Sequence, residues 1–216
     1  MALALSTERP RFRGVSHRIA FHVALVCGAV LVALSGDHRT TAATAVYAAL
    51  LAGMFGVSAT LHRADWGPRA FAWLRRADHA MIFACIAGTY TPFCVLGLGV
   101  PGGTRLLALV WTGAAIGMLR AILWPHAPRV ISAALFVAVG WTMVSYLPEI
   151  HAALDPLAFA LLLAGGAWFT AGAVVYSLRW PDPWPKVFGY HEVFHVMVIL
   201  GCGCHFLAIG RLVLAR

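Results

Sequence analysis

Charge is what this chain has least of. Only 11% of its 216 residues are Asp, Glu, Lys or Arg, against about a quarter in a soluble globular domain. Acids number eight, and lysine occurs once, at Lys186. Long polar stretches are missing too, so one membrane domain over residues 1–216 is expected, with no water-soluble domain between its apolar runs. Cysteine is sparse and odd in number: Cys27, Cys85, Cys94, Cys202 and Cys204 all lie inside apolar runs. That excludes a disulfide framework and suits small buried side chains. Cys202-x-Cys204 lacks both CxxC spacing and a second pair, so a thiolate metal site is not supported. No internal repeat or low-complexity region is present.

What is there is apolar. Hydrophobic residues make up 61% of the chain, and the mean hydropathy is +0.82. A membrane-crossing helix needs about 20 apolar residues. Seven runs qualify: Ile19–Ser35, Ala42–Leu61, Ala80–Leu98, Leu106–Trp124, Val130–Leu147, Leu157–Leu178 and Val193–Leu214, with the third and seventh helices starting by residues 78 and 191. Pro and Gly clusters separate them, such as Pro101-Gly102-Gly103 and Trp180-Pro181-Asp182-Pro183-Trp184-Pro185, with Pro148 after the fifth. Helices are the sensible assignment, because a spanning backbone must satisfy its own polar groups. The fold class is therefore an all-α membrane protein, a bundle of seven transmembrane helices. The basic segment Met1–Arg18 ahead of an apolar run looks like a signal peptide. Six further spans and no small-x-small site after Leu34 favour a retained first helix.

The formal net charge is +8, but the arginines are scattered over short loops, which argues against nucleic acid and for topology signals. One set of loops carries Arg9, Arg11, Arg13, Arg18, Arg63, Arg69, Arg75, Arg76, Arg120, Arg129, Arg179 and Lys186, and the other only Arg39, Arg105, Arg211 and Arg216. By the positive-inside bias the N-terminus is cytoplasmic and the C-terminus outside. Trp66, Trp73, Trp124, Trp180 and Trp184 fall near the inner boundary, where amphipathic rings settle.

This topology brings four polar residues to one depth: His62 ends the second helix, Asp78 starts the third, and His191 and His195 open the seventh. Ionisable groups in a bilayer are costly and usually functional. His191 and His195, at i and i+4, share one helix face about 6 Å apart along the axis. Three neutral imidazoles with a nearby carboxylate suit Zn2+, with a fourth position left to water. His62, His191 and His195 are the expected metal ligands, and Asp78 would contact the metal through that water. Ser58, one turn before His62 on the same face, would hydrogen-bond the water or a substrate oxygen. Asp78 and Ser58 are thus the candidate catalytic residues.

His191-Glu192-Val193-Phe194-His195 also matches the H-E-x-x-H of zinc metalloproteases. An intramembrane metalloprotease needs a later aspartate ligand, and no aspartate follows residue 195. Glu192 is expected instead to partner a histidine or to line the site.

Three blocks together resemble the hemolysin III family, within the progestin and adipoQ receptor superfamily, over essentially the whole chain. They are Ser58-Ala59-Thr60-Leu61-His62; Asp78-His79-Ala80-Met81-Ile82-Phe83 running into Ala87-Gly88-Thr89-Tyr90-Thr91-Pro92; and Gly189-Tyr190-His191-Glu192-Val193-Phe194-His195 with Cys204-His205-Phe206. The resemblance implies a seven-helix bundle with an inner-leaflet zinc on three histidines, an aspartate acting through water, and an N-in orientation opposite to G-protein-coupled receptors. The family name implies pore-forming cytolysis. Animal relatives look like lipid amide hydrolases (ceramidases) or ligand receptors, and bacterial members are linked to membrane lipid homeostasis. His22 is an additional polar residue in the first helix.

The remaining histidines are read individually. His205 lies ten residues past His195, about 15 Å farther along the helix, and is expected to hydrogen-bond a neighbouring helix. His79 points about 100° away from Asp78. His17 and His22, five residues apart and poorly aligned, are expected to be structural. Gly88 and Pro92 are expected to allow close packing and a kink.

The leading functional expectation is a cell-membrane zinc hydrolase acting on a lipid amide or ester that enters laterally from the inner leaflet. The alternatives are a sensor or regulator with structural zinc, and a pore. No ring of charged residues supports a channel.

Overall fold

The protein is described here by a computed structural model covering residues 10–215. Seven helices are long and apolar enough to cross a membrane: α1 (Val15–Ala33), α2 (His38–Arg63), α3 (Pro68–Gly97), α4 (Gly102–Leu123), α5 (Arg129–Ala153), α6 (Pro156–Leu178) and α7 (Tyr190–Leu214). Among the described residues the extended pairing is a single bridge between Trp184 and Phe188, in the connection ahead of α7. Arg9 and Arg216, both counted in the charge asymmetry, lie outside the described residues.

Local chemistry sets the helix starts. The Asp37 carboxylate accepts from the Arg39 and Thr40 backbone N–H groups at 2.8 and 3.1 Å, which caps α2. Asp155 caps α6 in the same way, at 3.0 and 3.1 Å. Its carboxylate also takes a bidentate contact of 3.0–3.1 Å from Arg211 near the end of α7. That guanidinium holds the Asp155 carboxyl below the usual carboxylate range.

Two boundaries differ from the sequence expectation. Helix α3 begins at Pro68, not near residue 78, so Arg69, Arg75 and Arg76 are helical rather than in a loop. Proline is favoured at a first helical position, and a hydropathy run marks only the part of a helix that suits hydrocarbon. Arg76 then reaches sideways, donating to the Ile122 carbonyl at the end of α4 at 3.1 Å. Helix α5 continues past residue 147 to Ala153 but is broken. It runs as α-helix over Arg129–Gly140, as a 3-10 turn over Thr142–Tyr146, and as α-helix again over Leu147–Ala153. Pro148 sits in the first turn of that last piece, where a missing N–H does no harm.

The α5 break exposes backbone groups inside the bundle, and α3 supplies their partner. The Tyr90 hydroxyl donates to the Gly140 carbonyl at 2.6 Å and accepts the Met143 N–H at 3.1 Å. Beside it, Trp141 Nε1 donates to Thr170 of α6 at 2.9 Å. Irregular backbone at membrane depth survives only where protein satisfies it.

Packing sorts side chains by size. On α1, Ile19, Val23, Val26 and Val30 are exposed, while Ala20, Ala24, Gly28 and Leu31 are buried. Both stripes recur at helical spacing, so the bulky face looks outward and the small face lets α2 approach, with Gly28 against Ala48. The Phe83 ring lies so close to Gly117 that a Cβ there would collide with it. The five cysteines are free and at least partly buried. Gly88 packs on Leu50, and Pro92 leads into a π-helical turn over Phe93–Gly97.

The helices surround a cavity of about 480 Å³, the size of a small-ligand pocket. Its wall extends from His17, His62 and His195 at one end to Leu98, Leu106 and Ile150 toward the other. Most of the wall between is apolar, including Met54, Ile86, Phe93 and Leu162.

Removing the Tyr90 hydroxyl leaves the Gly140 and Met143 groups unpaired in the interior. Tyr90→Phe is therefore expected to cost about 1–3 kcal/mol, read as a drop of several degrees in the thermal midpoint of detergent-solubilised protein. An unchanged midpoint contradicts the bridging role.

Candidate metal centre

One helix end presents two of the donors and another presents the third. His191 and His195 occupy successive turns of one α7 face, their ring centroids 4.5 Å apart. His62, in the last turn of α2, faces both, with centroids 4.8 Å from His191 and 5.2 Å from His195. One nitrogen from each ring lies within 4.8 Å of the others. His195 is buried, and His62 and His191 are partly buried.

The spacing is informative in itself. His62 Nε2 and His191 Nε2 stand 3.3 Å apart. Two ligands at 2.0–2.1 Å from a tetrahedral zinc are separated by about 3.3 Å. Three ring nitrogens meeting with no intervening carboxylate suit a cation better than a hydrogen-bond network, since one proton serves at most one pair. The donor set would suit a divalent ion such as zinc, which His62, His191 and His195 could hold.

The other expected site residues occupy the surrounding wall. Asp78, in the third turn of α3, lines the same cavity as the triad without joining the donor cluster. Ser58 is buried one turn below His62, and its Oγ lies 2.8 Å from His17 Nδ1. His79 turns back along its own helix, its Nδ1–H donating to the Arg75 carbonyl at 2.9 Å.

His17 has partners that the sequence reading did not foresee. It is buried, bonded to Ser58, and stacked on His195 with centroids 3.7 Å apart and planes 7° from parallel. The structural role expected of it takes a specific form: His22 is exposed on α1, whereas His17 packs against the triad without joining its donor cluster. Comparing it with His22 tested the wrong pairing, because its partners lie 41 residues away on α2 and on the last helix. The one sequence signal was position, since His17 opens an apolar helix at the same end as His191.

Glu192 also departs from expectation. It is only 1% exposed, yet its carboxylate meets neither a histidine nor the cavity. One oxygen accepts the Gly189 N–H at 2.8 Å and the other lies 2.7 Å from Arg13 Nε. A helix residue next to His191 is turned about 100° from it, which sends the carboxylate away from the triad. The H-E-x-x-H pattern therefore lacks its general base. His205 behaves as expected, its Nε2–H donating to the Leu162 carbonyl of α6 at 3.0 Å.

Comparison with known proteins agrees with this architecture. The family model described as "Haemolysin-III related" matches residues 5–206. A protein named "Hemolysin-3" from Bacillus cereus is 27% identical over 197 residues, covering 90% of this chain and 87% of its own length. The "Hemolysin-3 homolog" of Bacillus subtilis (strain 168) is 30% identical over 132 residues, 61% of this chain and 59% of the relative. The "Heptahelical transmembrane protein ADIPOR2" of Oryza sativa subsp. japonica is 33% identical over 177 residues, 72% of this chain and 75% of the relative. With seven apolar helices and a match over most of its length, the chain is a multi-pass integral membrane protein that belongs to the haemolysin III-related family.

Proposed function

We propose that this protein is a zinc-dependent hydrolase of lipid amide or ester bonds serving membrane lipid homeostasis. The observation that carries the reading is the histidine triad at the end of a largely apolar cavity of about 480 Å³, with Asp78 in the same wall. The basic-residue asymmetry supports a cytoplasmic N-terminus and an outside C-terminus. The triad then lies near the inner leaflet, from which a lipid substrate reaches it laterally. Apolar walls hold an acyl chain and keep bulk water sparse around the polar end.

Bound zinc would supply Lewis acidity, lowering the pKa of a water toward neutrality and polarising a carbonyl. The chain's residues do the rest. His62, His191 and His195 hold the cation through neutral nitrogens. Asp78 accepts and relays a proton at the cavity wall. Ser58 offers its hydroxyl to a substrate oxygen, in an orientation set by its bond to His17. In this reading the carboxylate and the triad have separable duties.

A second reading draws on the position of the triad between helices. His62 comes from α2 and the other two histidines from α7, so a bound ion also braces the bundle. As a sensor or regulator with structural zinc, the protein would need the histidines for stability and Asp78 for little.

Metal analysis of detergent-purified protein is expected to give about one zinc per chain, falling to near zero in His191→Ala/His195→Ala. A metal content indifferent to the double substitution rules out the centre. With zinc loaded, Asp78→Asn is expected to lose at least about 100-fold in turnover on lipid amides or esters while keeping its metal, the scale of a lost acid–base group. If Asp78→Asn is fully active, or wild type turns over nothing on a broad lipid panel, the hydrolase reading fails. The brace reading is then tested by whether the histidine variants lower the thermal midpoint. Site-specific labelling of single-cysteine variants in intact cells is expected to find the N-terminal segment inside and the C-terminus outside. The reverse pattern overturns the orientation.

A further inference from the structure

Glu192 is a carboxylate with almost no exposure at the start of a membrane helix, set between two metal-binding histidines. Burying a charge is costly unless it is paired. The Gly189 N–H alone would leave one of its oxygens without a partner. The cation that answers it does not come from a neighbouring helix. It is Arg13, from the short segment ahead of α1.

That segment is strapped in place by its backbone. The Arg11 and Phe12 N–H groups donate to the Lys186 and Val187 carbonyls at 2.9 and 3.0 Å. The strap therefore runs beside the connection into α7 and brings Arg13 over its first turn. Gly14 then turns the chain into α1 with φ +73°, a conformation that favours glycine. A Cβ there would stand 2.7 Å from the Cβ of His62. One turn further on, His17 stacks on His195. Within five residues the strap and first turn of α1 touch His62, His195 and the neighbour of His191.

We propose that Arg13 is a positioning residue of the metal centre: by pairing with Glu192 it locks the first turn of α7 so that His191 and His195 meet His62. Residues 191 and 192 are about 100° apart on the helix, so holding Glu192 on one side fixes the rotation that aims His191 at α2. Without Arg13, the buried carboxylate must turn toward water and carry that rotation with it. Metal affinity then depends on a segment outside every membrane helix. This inference rests on the metal reading above.

The test uses the full-length protein in detergent with cobalt(II) as probe, titrated against a chelating dye. Arg13→Met is expected to weaken cobalt binding about 10–100-fold, the usual scale for a residue that orients a metal ligand, and to alter the visible absorption of the bound ion. Arg13→Lys keeps a cation and is expected to restore most of the affinity and the wild-type spectrum. The thermal midpoint of metal-free Arg13→Met is expected to stay within a few degrees of wild type. Wild-type affinity and spectrum in Arg13→Met overturn the inference and leave the metal centre standing. So does a metal-free midpoint that collapses with the affinity, or a lysine variant as weak as methionine. Wild-type protein that binds no cobalt or zinc overturns the metal reading itself and this inference with it.

Discussion

Three imidazoles converge where two helices of a membrane bundle come together, and much of the structure serves that convergence. The His62 and His191 ring nitrogens stand 3.3 Å apart, close enough to share a proton or to offer two lone pairs to one cation. The separation is also the one that tetrahedral coordination of a zinc-type ion would give. Holding the rings there needs the last turn of α2, the first turn of α7 and the first turn of α1, which packs His17 flat on His195. The site is polar at its wall and apolar beyond it.

Helix α5 is interrupted beside the cavity. Tyr90 covers the break with one hydroxyl that both donates and accepts, and Trp141 anchors the turn to α6. The motif that contains Tyr90 thus has a backbone-satisfying duty apart from the metal. Elsewhere the helices close tightly through small residues, as at Gly28 on Ala48 and at Gly117 under Phe83.

Charge is rare in this chain, and the structure uses it at defined places. At the end opposite the triad, Arg211 grips Asp155, the cap of α6, and so ties the end of one helix to the start of another. At the triad end, Arg13 meets the buried Glu192. In both places an acidic residue at a helix start satisfies backbone N–H groups and takes a cation from a distant segment. Both joints rest on the same physics: a carboxylate suits the positive end of a helix dipole, and its negative charge is answered by an arginine.

Much was legible in the residues themselves. Seven apolar runs determined seven spanning helices, because hydrocarbon tolerates no other long backbone. The charge asymmetry placed His62, Asp78, His191 and His195 at one end of the bundle before any coordinates. Periodicity put His191 and His195 on one face of a single helix, and spacing kept His205 away from them. Tertiary structure alone decided the rest. His17 bears no local relation to Ser58 or His195, since stacking and hydrogen bonding across helices leave no periodic trace. Glu192 was expected to partner a histidine or line the site, but its place on the helix turn sends it to the Gly189 N–H and Arg13 instead. The break in α5 was invisible because its partner, Tyr90, lies on another helix. Patterns along one helix are written in the sequence by geometry, whereas contacts between helices depend on how the whole bundle packs.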